Sequence, residues 1–334
     1  IRLSEKAGGR MYLNEALDLA AGVMDHLRSG KAVRRIAFAG SLRRGRETVG
    51  DIDILVSGTK PESIVSRFTS HPDVVQVLGS GSTKASALFN TPGGIRQVDI
   101  RLIPAASWGA ALQYFTGSKD HNVALRGLAQ RKGLKLSEYG LFRGKRKVAG
   151  RTEEEVYRAV GLPWIEPELR EDRGEIDAAQ EGRLPNLLAL GDVRSDLHVH
   201  TEVSDGSSSR EDMVKACRSR GYTHIAIAEH SVTASYAGGL TPDRLKRHCD
   251  WVDRFNRRSS RFKVLKSAEV DIRTNGRLDY SDRLLGRLDL VTASIHQGFR
   301  KNATERMCAA IEHPLVHMVA HPTGRIIGKR EGYD

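Results

Sequence analysis

At 334 residues and 39% hydrophobic, the chain has room for two domains with separate cores, and no apolar run reaches the length of a membrane span. Cys217, Cys249 and Cys308 are odd in number, far apart and without a CxxC pair. That excludes a disulfide framework and leaves the cytoplasm as the expected compartment. The net charge of +12 and isoelectric point near 9.7 suit a polyanionic partner, provided the motifs also handle phosphate. Neither end reads as a signal peptide, and a start at Ile1 reads as a fragment or a processed chain.

In chain order, residues 12–30 repeat apolar residues at helical spacing and predict a helix closed by Gly30. RRIAFAG follows as a strand ending at Gly40, then a basic turn, then DIDILVSG as a second strand and GIRQVDIRLIP as a third. Helical patterns run on to residue 133, and 133–150 reads as a short hairpin. TEEEVYRAVG reads as a helix capped by Thr152, with Glu155 three residues on. The charged, proline-bearing stretch after Pro163 reads as an interdomain linker. Nine of the twelve histidines lie beyond it. There the strand patterns HIAIAEH, FKVLKSAEVDI, LDLVTASIH and LVHMVAH alternate with helical ones, which predicts an α/β layout with a parallel sheet or barrel. Most of these strands finish on or beside a His or Glu, and sites in such folds are built at strand carboxyl ends.

Asp51 and Asp53 stand at i and i+2 of a strand and share a face. Asp99 lies on another strand, between Val98 and Ile100. Carboxylates without histidine or cysteine suit hard cations such as Mg²⁺. Two such ions would serve both the attacking and the leaving oxygen of a phosphoryl displacement. Gly40-Ser41 lets backbone N–H groups approach a phosphate, and Arg43, Arg44 and Arg46 add positive charge. A lone D-x-D is more often a solvated face; the accompanying Gly-Ser and third aspartate give it weight.

GSLRRGRETVGDIDIL (40–55), QVDIRLIP (97–104), YFTGSKDHNVALR (114–126) and GLKLSEYGLF (133–142) together resemble the palm region of family X DNA polymerases, the group that includes DNA polymerase beta. The resemblance implies that Asp51, Asp53 and Asp99 are catalytic, holding Mg²⁺ or Mn²⁺. Gly40, Ser41, Arg44 and Gly50 would bind the triphosphate. Tyr114, Phe115 and Gly117 would line the nucleotide's sugar, and Asn122 and Arg126 would face the base and the template minor groove. Family members carry a lyase-type domain and helix-hairpin-helix elements upstream of the palm, which the chain given does not contain.

A second series comprises His198, His200, Asp205, His230, Glu269, His296 and His321. Imidazoles mixed with carboxylates suit Zn²⁺ or Mn²⁺. A single histidine at a strand end is more often structural, but seven residues over five strand ends are hard to explain that way. His224, His248, His313 and His317 fall outside the series. DLHVHTEVSDG (196–206), EHS (229–231), SAEVDI (267–272), SIH (294–296) and AHPTGR (320–325) resemble, in order, the motifs of the PHP domain, which is fused to many bacterial and archaeal family X polymerases. This resemblance implies a distorted (β/α)7 barrel, several metals at its C-terminal face, and 3′–5′ exonuclease or related 3′-end processing. It also implies a closing Asp-x-His motif beyond residue 334, so truncation at both ends is the expectation.

The expected architecture is multidomain α/β. A polymerase palm covers 1–104, a small α+β subdomain contacting nucleotide and template covers 105–165, a linker covers 166–194 and a partial PHP barrel covers 195–334. The expected function is gap-filling DNA repair synthesis from dNTPs by a monomer, cytoplasmic and at the nucleoid, with DNA as partner and no membrane. The rival readings are a DNA-binding scaffold and a phosphoesterase with a relic palm.

Overall fold

The protein is described from a computed structural model that covers residues 9–333. The first eight residues of the expected palm and residue 334 of the expected PHP domain lie outside it. The chain forms two compact units, one up to Asn186 and one from Leu187.

The first unit opens with β1 (Met11–Tyr12) and α1 (Leu13–Arg28). Ala16, Ala20, Val23, Met24 and Leu27 are buried along one stripe of α1, the helical spacing that predicted it. Next come β2 (Val33–Phe38), the short α2 (Gly40–Arg43), β3 (Thr48–Val49) and β4 (Ile52–Gly58). They are followed by α3 (Pro61–Thr69), β5 (Val74–Ser80), β6 (Lys84–Thr91) and β7 (Gly94–Leu102). The sheet order is β2-β4-β7-β6-β5. Only β4 and β7 pair parallel within it. Ile52, Ile54 and Val56 of β4 join the core under α1 and α3. Leu55, of opposite parity, meets Trp108 and Ala111 on the other face, so β4 is buried on both sides.

The rest of this unit is α4 (Trp108–Thr116), α5 (Lys119–Arg131), the antiparallel sheet of β8 (Lys135–Ser137), β9 (Gly140–Arg143) and β10 (Arg146–Ala149), and α6 (Glu153–Ala159). Thr152 caps α6 by accepting from the Glu155 N–H at 3.2 Å. The linker expected at 166–194 needs correction in its first part. A 3-10 turn at Pro167–Leu169 and α7 (Glu175–Gln180) pack into this lobe. Arg170 there is fully buried, bonding to Glu153 at 2.7 Å, and Ala179 joins the core of Leu125, Leu141 and Tyr157. Charge there marks buried ion pairs rather than a solvated tether.

The second unit contains β11 (Ser195–Val199), α8 (Arg210–Ser219), β12 (His224–His230), α9 (Pro242–Arg258), β13 (Lys263–Asp271), α10 (Asp282–Leu285), β14 (Leu290–Ser294), α11 (Ala303–Ile311) and β15 (Met318–Val319). Its strands are all parallel and lie side by side in chain order. That is the winding of a β/α barrel rather than the reversal of a doubly wound sheet, and the five strands form a half-barrel. Ser209 and Thr241 cap α8 and α9, with Pro242 in the first turn of α9. No helix among the described residues is long and apolar enough to cross a membrane.

Candidate metal centres

In the first unit Asp53 and Asp99 are register partners on β4 and β7, so the parallel pairing sets two carboxylates side by side. Asp51 sits exposed just before β4. Asp53 is pushed up to about 6 by burial, then by the charges of Asp51 and Asp99. Burial acts the same way on Asp99, but hydrogen bonds from Lys84, Gln97 and Ser86 bring it below its ordinary value. Lys84 Nζ lies 2.5 Å from Asp99 Oδ2. The three carboxylates are not all drawn to within 4.8 Å of one another; lysine charge stands at the third of them. Gly40 has φ +63°, and a Cβ there would meet Asp53 Oδ2 at 3.3 Å. The turn into α2 therefore grazes the carboxylate, and glycine alone suits both constraints. Ser41 follows in α2, while Gly50 precedes Asp51 with Arg10 beside it.

A cavity of about 300 Å³ is lined by Arg44, Tyr114, Phe115, Gly117, Asn122 and Arg126, with Thr116 and Lys119 completing it. It gathers six of the residues singled out in the sequence. The Phe115 ring lies under Arg101 at 4.3 Å, and Tyr114 meets it edge-on at 5.1 Å. Both rings are half-buried, and Phe115 also packs against the cluster of Leu55, Trp108 and Ala111. Gly117 lets Arg44 approach, since a Cβ there would sit 3.1 Å from Nη1. Two expectations change in detail. Arg44 is paired with Glu171 at 2.8 Å and donates to the Thr116 carbonyl, so it is tethered to the small subdomain. Asn122 is buried, accepting from Gln113 and donating to the Tyr114 carbonyl, each at 2.7 Å; its amide fixes the end of α4. Arg126 keeps an Nε bond to the Asn122 carbonyl at 3.2 Å.

In the second unit the strand carboxyl ends converge on Glu269. His198, His200, His230, His296 and His321 place ring nitrogens 3.0–3.4 Å from its carboxylate. Asp205 approaches His230 at 3.3 Å and His200 at 3.7 Å. Three overlapping groups each bring their ligand atoms within 4.8 Å: His198-His200-Glu269, His200-Asp205-His230 and His230-Glu269-His296. Nδ1 of His200 and of His230 is buried without a hydrogen bond. Lone pairs facing one another with too few protons between them suit shared cations, so the donor set fits metal. Burial favours the neutral form of Glu269, yet hydrogen bonds from His198, His200, His296 and His321 hold it far below its ordinary value. His224, His248, His313 and His317 stay outside these groups.

Two residues that lie within the motifs but outside the seven-residue series belong here. Asp271, two positions past Glu269 and on the same face of β13, contacts His296 Nδ1 at 3.2 Å. Burial pulls His296 down, but Asp271 and Glu269 lift it to about 9. Period-2 alternation from Glu269 carries the signal for Asp271. Glu229 is fully buried and accepts from the hydroxyls of Thr201 and Ser204, anchoring the loop between His200 and Asp205. Gly206 permits that loop's closure: a Cβ there would lie 2.7 Å from the His200 carbonyl.

Residues 10–104 match the DNA polymerase beta palm, 111–171 the DNA polymerase beta thumb and 196–325 the PHP domain. The DNA polymerase/3′-5′ exonuclease PolX of Bacillus subtilis is 37% identical over 97% of this chain, which spans 57% of that protein. DNA polymerase lambda of Rattus norvegicus is 33% identical over 40% of this chain and 28% of its own length. The solved structure of Leishmania infantum polymerase beta in a ternary primer-template complex covers 51% of this chain and 79% of its own at 26% identity, with a TM-score of 0.45. Palm, thumb and PHP matches in one order, together with likeness to PolX along nearly the whole chain, place this chain in the PHP-bearing family X DNA polymerases.

Proposed function

We propose that the chain is a DNA-directed DNA polymerase that adds dNTPs to a 3′ end in gapped or primer-template DNA. The observation carrying this reading is the pairing of Asp53 with Asp99 beside Gly40, with Asp51 adjacent. Mg²⁺ or Mn²⁺ held by Asp51, Asp53 and Asp99 would supply charge for the phosphoryl transfer. Gly40, Ser41, Arg44 and Gly50 are assigned to the triphosphate, and Tyr114, Phe115 and Gly117 to the sugar. Asn122 positions that lining through the Tyr114 carbonyl, and Arg126 faces template. Lys84 balances Asp99 in the absence of a cation and must yield as one binds. The proposed division is a palm to residue 104, a nucleotide- and template-contacting subdomain from 105, here carried on to Asn186, and the PHP domain beyond.

The PHP domain is assigned metal-dependent 3′–5′ removal at the same kind of end. His198, His200, Asp205, His230, Glu269, His296 and His321 would hold Zn²⁺ or Mn²⁺, which supplies Lewis acidity toward a phosphodiester. Asp271 orients His296, and Glu229 orients the loop bearing Asp205. Action on chromosomal DNA, as a monomer at the nucleoid, completes the reading. The test is extension of a one-nucleotide gap with dNTP and Mg²⁺ by the parent and by Asp51→Ala/Asp53→Ala. Loss in the double variant is expected; incorporation that survives it overturns the polymerase assignment.

A further inference from the structure

A groove of about 420 Å³ lies between the start of α8 and the outward face of α9, lined by Val203, Arg210, Arg244, Arg247, His248 and Arg254 among others. Val203 belongs to the loop between His200 and Asp205, so one end of the groove is the metal loop itself. Residues 244, 247, 251 and 254 fall at i, i+3, i+7 and i+10, one stripe of the helix. Arg244 donates to the Val203 carbonyl at 2.5 Å and the Gly238 carbonyl at 2.9 Å, tying that stripe to the loop. Trp251 carries the Arg210 guanidinium 4.5 Å above its ring and stacks on Phe255. A guanidinium held face-on to an aromatic keeps its N–H edge free for phosphate oxygens.

Arg210, Arg247 and Arg254 have no carboxylate partner among the described ion pairs. Asp250, the acidic lining residue, is turned to Arg287 at 3.7 Å. His248 lines the groove at 1% exposure. Its ring approaches the Ile227 backbone without the geometry of a hydrogen bond, leaving both nitrogens unpartnered. Burial, then the charge of Arg210, pushes it down to about 4, so it is neutral at physiological pH. A cleft of guanidinium groups without carboxylate partners, walled by a neutral ring turned to the Ile227 backbone, suits an anionic ligand.

We infer that this groove binds the phosphodiester backbone of single-stranded DNA and leads its 3′ end toward the Asp205 loop. From Arg244 to Arg254 the helix rises about 15 Å, the length of roughly four phosphates at about 3.4 Å per stacked nucleotide. The direction of travel rests on the 3′-end processing proposed for the metal centre, whereas occupancy of the groove does not.

The test uses the whole chain in chelator, so that hydrolysis enters neither readout, with a labelled oligothymidylate bearing 4-thiothymidine. Photocrosslinks mapped by peptide mass are expected within residues 203–210 and 242–258 of the parent and lost in Arg247→Ala/Arg254→Ala, whose side chains are exposed. The affinity should fall about 25-fold at 0.1 M salt, and the slope of log K against log salt should shrink by about 1.4, at roughly 0.7 per phosphate contact. Absence of crosslinks in those segments, or crosslinks there that the double variant retains, overturns the proposal. A separate failure of 3′-end degradation with Mn²⁺ would strike the exonuclease reading and leave the groove standing.

Discussion

Lys84 Nζ lies 2.5 Å from Asp99 Oδ2, so the most buried palm aspartate is already neutralised by a cation of the chain. A divalent ion binding Asp99 must displace that ammonium. In Lys84→Ala the competition is gone, and half-saturating Mg²⁺ for gap filling should fall several-fold. A Mg²⁺ titration of incorporation rate checks this; an unchanged midpoint would mean that Lys84 does not compete.

Asp53 adds a proton to the same competition. Its value near 6, raised by burial and then by Asp51 and Asp99, means that below pH 6 a proton must leave before a cation binds. The Mg²⁺ midpoint should stay flat above that pH and rise about tenfold per pH unit below it. Repeating the titration from pH 5 to 8 tests the sign, since a midpoint that falls on acidification contradicts it.

Glu153 holds the small subdomain together. It accepts from Arg43 at 2.6 and 2.8 Å and from Arg170 at 2.7 Å. Burial acts to raise it, but Arg43 and Arg170 bring it down to about 2. Its stabilising contribution is complete above the ordinary glutamate value and is lost as pH falls through about 2. Glu153→Ala leaves Arg170 buried and unpaired, a loss of about 3–5 kcal/mol. In chemical denaturation the deficit should be full at pH 7 and shrink at pH 3. A deficit independent of pH would assign the loss to packing alone.

Glu269 and Asp271 predict graded metal loss. Five imidazoles share the Glu269 carboxylate, so Glu269→Gln should remove Mn²⁺ and Zn²⁺ binding from more than one position. Asp271 touches only His296 among the histidines, and Asp271→Asn should cost about 10–100-fold in affinity. Metal content after dialysis and competition with a chelating dye give both numbers. Equal effects would show that Asp271 is itself a ligand.

The depth at which each feature was legible follows its range. Asp53, Asp99 and the histidines sit at strand positions that local alternation and motif spacing expose directly. Asp271 lies inside SAEVDI and obeys the same alternation, yet the ligand series stops at Glu269 on that strand. Lys84 against Asp99 and Glu171 against Arg44 depend on chain pairings that no local pattern encodes. The edge strand β5 escaped because most of its side chains are exposed, leaving no alternation to read. The stretch around Arg170 looked like a tether because composition cannot distinguish a solvated charge from one neutralised inside a core.

Gly206 offers a test of the loop rather than of a ligand. Its N–H donates to the Thr201 carbonyl at 2.9 Å, and an added Cβ would stand 2.7 Å from the His200 carbonyl oxygen and from the Thr201 Cα. Those are backbone atoms, so relief requires the loop to open. Opening carries Asp205 away from His230 and pulls on the Thr201 and Ser204 hydroxyls that bind Glu229. Gly206→Ala should therefore lose most affinity at the His200-Asp205-His230 group while His230-Glu269-His296 still binds. Stoichiometry by metal analysis should drop without disappearing, and gap filling by the first unit should be unchanged. Full metal content in Gly206→Ala would mean that the loop does not hold Asp205 in place.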